Sequence, residues 1–237
     1  MKNLIVANWK MNPQTYKEAE DLAKDILKGA EAVKNVEVVI CPPFVYLPLL
    51  KGLPIGGQNC FYEESGAYTG EISPLMLKNL GAEYVIIGHS ERRKYFNETN
   101  EVINKKIKKA LELGLKVIFC VGETAEERDG GKKNEVLESQ LKQGLKEIDD
   151  FFNINIAYEP VWAIGTGNNC NVAEAKDAME FIKNIVKENT RILYGGSVKL
   201  DNSASYIKEA GYNGLLVGGA SLKPDEFVKI IESASFA

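Results

Sequence analysis

The sequence has one histidine, His89, among 237 residues. A metal centre built on several histidines is therefore excluded. Cysteine is scarce as well: Cys41, Cys60, Cys120 and Cys170 form no CxxC pair. That spacing argues against a cysteine-only zinc site and for reduced, buried thiols. Neither sign of charge dominates, since 29 Lys and Arg stand against 33 Asp and Glu for a net of −4. The basic residues are spread along the chain, so no nucleic-acid partner is expected. The first apolar run, 4–7, is too short for a signal peptide or a membrane span, which makes a cytoplasmic setting the expectation. No linker, low-complexity tract or Walker A sequence interrupts the chain. Gly165-Thr166-Gly167 falls short of a dinucleotide fingerprint, because Cys170 stands where the third glycine belongs.

What remains is ordinary for a globular protein, with 45% hydrophobic and 26% charged residues. Eight short runs, at 4–7, 36–40, 54–58, 84–88, 115–121, 155–158, 191–194 and 214–217, read as strands. Their near-continuous apolar character suits strands buried on both faces. Amphipathic stretches at 14–31, 101–113, 134–148, 172–187, 201–210 and 224–233 read as helices between them. Ser73-Pro74 has the form of an N-cap followed by a first-turn proline. Gly81, Gly114 and Gly211 stand where a helix ends in a left-handed residue. Eight alternations without a break predict an α/β fold, one (β/α)8 barrel over residues 1–237 as a single domain. A doubly wound open sheet is the competing arrangement, which periodicity does not separate.

In a barrel the functional face lies at the C-terminal ends of the strands. The residues there include Asn8-Trp9-Lys10, His89-Ser90-Glu91, Glu159-Pro160, Gly195-Gly196-Ser197 and Gly218-Gly219. Lys10 could neutralise an anionic substrate, or be a solvated surface lysine. His89 opens a helix, where the positive dipole end lowers its pKa and favours a neutral imidazole. Glu159, held extended by Pro160, is a candidate general base whose pKa apolar neighbours would raise. The segment 160–167 puts Val161, Trp162 and Ile164 between a proline and two glycines. Left open it would expose them, so it reads as a lid, or as a loop packed on a neighbour. The glycines after the seventh and eighth runs allow backbone N–H groups to approach an anion, which suits phosphate.

Six segments carry a family resemblance. They are Asn8-Trp9-Lys10-Met11-Asn12, Gly66 to Ser73, Ile87 to Arg93, Ala157 to Gly167, Tyr194 to Val198 and Val217 to Leu222. In this order, over essentially the whole chain, they resemble the triosephosphate isomerases. The resemblance implies a homodimeric TIM barrel of glycolysis and gluconeogenesis, interconverting dihydroxyacetone phosphate and glyceraldehyde 3-phosphate without cofactor or metal. It implies Glu159 as the base, His89 as a neutral imidazole polarising the carbonyl, Lys10 stabilising the enediolate, and Asn8 orienting the site. Gly165, Ser197, Gly218 and Gly219 would bind the phosphate. Thr69 would reach into a neighbouring subunit, with Gln58 and Asn59 close by, and Glu91 would lie near the site. The chain departs from the family pattern in being shorter around 148–155 and in having Asn168-Asn169-Cys170 at the lid's end. A Schiff-base aldolase using Lys10, and a barrel that binds phosphate without turnover, are the other readings of the same residues.

Overall fold

Alternate residues of a strand face opposite sides, and the apolar runs sort on that basis into two cores. Leu4 and Val6, Val39 and Cys41, Tyr84 and Ile86, and Ile118 and Cys120 pack with Ala157, Leu193 and Leu216 in one buried cluster. Ile5, Ala7, Ile40, Val85, Ile87, Val117 and Phe119 belong to a second, larger cluster with the helices. A sheet closed on itself produces this pair, one core inside the barrel and one between barrel and helices.

The protein is described by a computed structural model, which covers residues 1–50, 54–164 and 169–235. The strands are β1 (Asn3–Asn8), β2 (Val36–Cys41), β3 (Ile55–Gly57), β4 (Ala82–Ile87), β5 (Lys116–Val121), β6 (Ile154–Tyr158), β7 (Arg191–Tyr194) and β8 (Gly214–Val217). They form a closed barrel in sequence order. All pairings are parallel, and β1 closes the ring on β8 with Leu4 opposite Gly214. The barrel is therefore the observed fold, and the open sheet is not. The helices are α1 (Tyr16–Ala30), α2 (Pro74–Asn79), α3 (Ser90–Phe96), α4 (Asn100–Glu112), α5 (Ala125–Asp129), α6 (Lys133–Gly144), α7 (Val172–Lys183), α8 (Leu200–Lys208) and α9 (Pro224–Ser235). Among the described residues no helix is long and apolar enough to cross a membrane.

Local chemistry explains most helix limits. Thr15 and Glu18 form a capping box at the start of α1, and Ser73 accepts from Leu75 and Met76 N–H at the start of α2. Gly81, Gly114 and Gly211 have φ of 88°, 76° and 82°, as their places after helices require. Helix α6 stops at Gly144, short of the expected 148. Asn104 Nδ2 donates to the carbonyls of Gly144 and Lys146 at 2.9 and 3.0 Å, satisfying acceptors the helix end leaves open. The four cysteines are free and buried, in line with their expected role in packing.

Candidate active site

The alternation that fills the barrel also decides what stands at its top. Continuing the inward parity past each apolar run reaches Asn8, Glu159, Gly195 and Gly218. These residues, with Lys10, His89, Ser197 and Gly219, line one cavity of about 500 Å³. The candidate residues within the described segments are thus brought together. Gly165 lies outside the described residues.

Lys10 has φ +53°, a left-handed conformation that a residue with a side chain enters at a cost. Two contacts hold it. Its N–H donates to Asn8 Oδ1 at 3.1 Å, and Gln58 Nε2 donates to its carbonyl at 2.8 Å. The same Gln58 nitrogen donates to the Cys41 carbonyl at 2.9 Å, tying the ends of β1 and β2 together. The Lys10 ammonium pairs with Glu91 Oε1 at 2.5 Å.

His89 is the N-cap of α3. Its Nδ1 accepts the Glu91 N–H at 3.2 Å, so the ring proton belongs on Nε2. Nε2 donates to Glu159 Oε1 at 3.0 Å, and Glu159 Oε2 accepts the Ser90 N–H at 2.9 Å. Glu159 is 2% exposed and His89 5%. The two shift each other. Burial pushes the Glu159 carboxyl up, but His89, the Ser90 N–H and Lys10 outweigh it and hold the pKa below the ordinary value. Burial pulls His89 down, and Glu159 outweighs it and raises the pKa. Both directions are opposite to those expected from each residue alone, because each found the other as its partner. A second ring proton would have to displace the Glu91 N–H from Nδ1. Once Glu159 leaves Nε2, burial and the Lys10 charge pull the ring's pKa down, with Glu91 opposing them.

Glycine is required beside Glu159. A Cβ on Gly122 would lie 1.7 Å from the Glu159 carbonyl oxygen, and one on Gly195 would lie 3.0 Å from Glu159 Cγ. The ends of β5 and β7 therefore close directly on the strand that carries the carboxylate.

The first half of the 160–167 segment is not left open. A 3-10 turn at Val161–Ala163 buries Ala163 and half-buries Val161 and Trp162. Trp162 Nε1 donates to Glu123 Oε1 at 2.8 Å, Tyr158 OH donates to the same oxygen at 3.1 Å, and the Arg128 guanidinium lies 3.9 Å from the indole. These partners account for a large aromatic without a ligand over it. Ser197 Oγ donates to the Ala163 carbonyl, joining the turn to the glycine segment after β7. Ile164 reaches the cavity. Residues 165–167 lie outside the described residues.

Sequence reasoning did not assign Gln58 to Lys10, nor Lys199 and Lys223 to the cavity they help line. The lysines had a readable signal, as cations just beyond the glycine segments that follow β7 and β8. Gln58 had none, since its role depends on the spacing of β1 and β2.

A family model described as triosephosphate isomerase matches residues 3–234. The chain is 47% identical to the triosephosphate isomerase of Aquifex aeolicus over 98% of its length and 100% of the relative's. It is 48% identical to that of Dictyoglomus thermophilum, with 98% and 99% covered. A Clostridium botulinum relative of the same name is 48% identical, with 96% and 98% covered. With this likeness over nearly its whole length, the chain belongs to the triosephosphate isomerase family.

Proposed function

We propose that the chain interconverts dihydroxyacetone phosphate and D-glyceraldehyde 3-phosphate, working as one catalytic domain. The observation that carries this reading is the convergence of Glu159, His89 and Lys10 on one cavity whose other end is lined by glycine backbone. That end, at Ser197, Gly218, Gly219 and by family match Gly165, receives the phosphate through N–H groups.

The reacting end holds a carboxylate, a neutral ring donor and an ammonium. Glu159 takes a proton from the carbon beside the carbonyl, and the electron pair moves to form the enediolate. His89 Nε2–H donates to the carbonyl oxygen as negative charge grows there, and the Lys10 ammonium stabilises that charge. Asn8 holds the Lys10 backbone. The Glu159 carboxyl then returns its proton to the neighbouring carbon, while the hydroxyl proton passes between the two oxygens with His89 as donor and acceptor. In the present arrangement Glu159 occupies His89 Nε2 and the Ser90 N–H. It must release both to reach substrate, which frees the His89 proton for the carbonyl. The segment 160–167, closing from its turn at Val161–Ala163, would keep water from the enediolate.

We further propose a homodimer through the 66–73 loop that carries Thr69. Tyr68 lies tilted against Phe61 but remains 44% exposed, and Met11, Met76 and Phe96 are exposed by 83%, 52% and 63%. An exposed aromatic on that loop suits a protein interface, where tyrosine is enriched. The four buried thiols suit a cytoplasmic setting.

The test is isomerisation of glyceraldehyde 3-phosphate by the purified chain, coupled to a dehydrogenase that consumes dihydroxyacetone phosphate. Turnover is expected. A folded sample that binds phosphate ligands without turnover would overturn the proposal, and borohydride trapping of substrate on Lys10 would replace it with aldolase chemistry.

A further inference from the structure

A second cavity, of about 820 Å³, opens at the other end of the barrel. It is larger than the one that holds Glu159 and His89. The same inward parity that leads upward to the active site leads downward to it. Glu37 stands two residues before Val39, Lys116 before Ile118, Asn155 before Ala157 and Arg191 before Leu193. Barrels of this kind normally fill their layers with branched apolar side chains. The lowest layer here is polar and charged.

The acid in that layer is already satisfied. Glu37 Oε2 accepts from Arg191 NH1 at 2.6 Å, Tyr84 OH donates to Oε1, and Lys116 Nζ lies 3.7 Å away. The donors are not. Arg191 pairs with Glu37 and also reaches the Tyr84 hydroxyl, and its fork of five N–H groups has donors beyond these two although the side chain is only 17% exposed. Thr190 lines the same cavity, is 7% exposed, and its hydroxyl has no hydrogen-bond partner. A buried donor left unmade costs about 1–3 kcal/mol, so the Thr190 hydroxyl favours an incoming acceptor, with the spare Arg191 N–H groups beside it. The rim supplies aromatic surface. Phe152 is 89% exposed, and Phe151 beside it is half-buried with the Lys187 ammonium 5.3 Å from its ring. Both sit on the shortened 148–155 connection.

We propose that this floor cavity is a binding site for a small aromatic carboxylate. The ring lies against Phe151 and Phe152, and the carboxylate accepts from Arg191 and the Thr190 hydroxyl. Lys116, Lys187 and Arg191 balance Glu37, Asp150 and Glu188 around the cavity, and an anion is favoured at the inner layer because Glu37 has its partners there while Arg191 has donors to spare. The site is separate from the active cavity, so it binds independently of triose phosphate.

The probe is 1-naphthoate, titrated into the 15N-labelled full chain and followed by amide shifts. Saturable shifts are expected at Asn155, Thr190 and Arg191, with none at Ser197 or Gly219, and inorganic phosphate should not displace them. Phe152→Ala removes an exposed ring, so the fold and isomerase turnover are retained while naphthoate binding weakens about fivefold. The uncharged 1-naphthalenemethanol should bind about tenfold more weakly than the acid. Shifts confined to Ser197 and Gly219, equal binding by Phe152→Ala, or no shift at millimolar naphthoate would each overturn the proposal. None of these results depends on whether the chain isomerises triose phosphate.

Discussion

Gly122→Ala tests how the fold aims the carboxylate, without touching any group that meets substrate. The added Cβ would stand 1.7 Å from the Glu159 carbonyl oxygen, whereas ordinary contact begins near 3.4 Å. Something must therefore yield by about 1.7 Å, and both atoms in conflict are tied to backbone. Glu159 N–H donates to the Val121 carbonyl at 2.8 Å, so β5 and β6 cannot part without losing that bond. The shift falls on Glu159, the proposed base. A displacement of about 1 Å at a reacting group costs on the order of a hundredfold in rate. A loss of kcat of at least about a hundredfold is expected. Overpacking of this kind destabilises by about 1–3 kcal/mol, a lowering of Tm by several degrees for a chain of this length. The assay is the coupled isomerase rate with thermal unfolding beside it. Gly130→Ala, at an ordinary φ and away from the site, is the control. Wild-type kcat in a folded Gly122→Ala protein would refute the claim that this glycine sets the position of Glu159.

Other substitutions reach other links. Because the folded Glu159 pKa lies below 4.5, its stabilising share is complete above pH 4.5 and is lost as pH falls through the lower folded value. The stability gap between wild type and Glu159→Gln, measured by urea unfolding, should therefore shrink below pH 4.5, and a constant gap would contradict the assignment. Trp162→Phe removes the indole donor to Glu123 and should cost about 1–2 kcal/mol in denaturant unfolding, whereas an unchanged midpoint would show the bond carries no stability. Asn104→Ala leaves two carbonyls at the end of α6 without their donor. A loss of about 1–2 kcal/mol is expected, and no loss would mean that water replaces the side chain at no cost.

The barrel was legible in the sequence because buried parallel strands leave a strong local mark, as in Leu4 to Ala7 and Leu115 to Val121. The top of the site was legible for the same reason, since reading past each run meets Lys10, His89 and Glu159 in turn. What local pattern does not carry is the identity of a partner distant in sequence. Nothing near Glu159 says that His89 faces it, so apolar neighbours for Glu159 and the helix dipole for His89 gave the wrong direction for both pKa shifts. Trp162 looked unprotected for the same reason, as Glu123 and Arg128 reach it from the segment after β5. The end of α6 depended on Asn104 of α4, and the polar floor on parity across four strands. Each of these is a tertiary fact.

Proton transfer by Glu159 is the centre of the account, and deuterium uptake measures it most directly. Dihydroxyacetone phosphate is incubated in D2O with the chain and followed by proton NMR. Wild type should place solvent deuterium on the hydroxymethyl carbon of dihydroxyacetone phosphate and on the carbon beside the aldehyde of the product, while Glu159→Gln should still bind a phosphate ligand and place none above the uncatalysed level. Deuterium uptake by Glu159→Gln at the wild-type rate would contradict the assignment of Glu159 as the base.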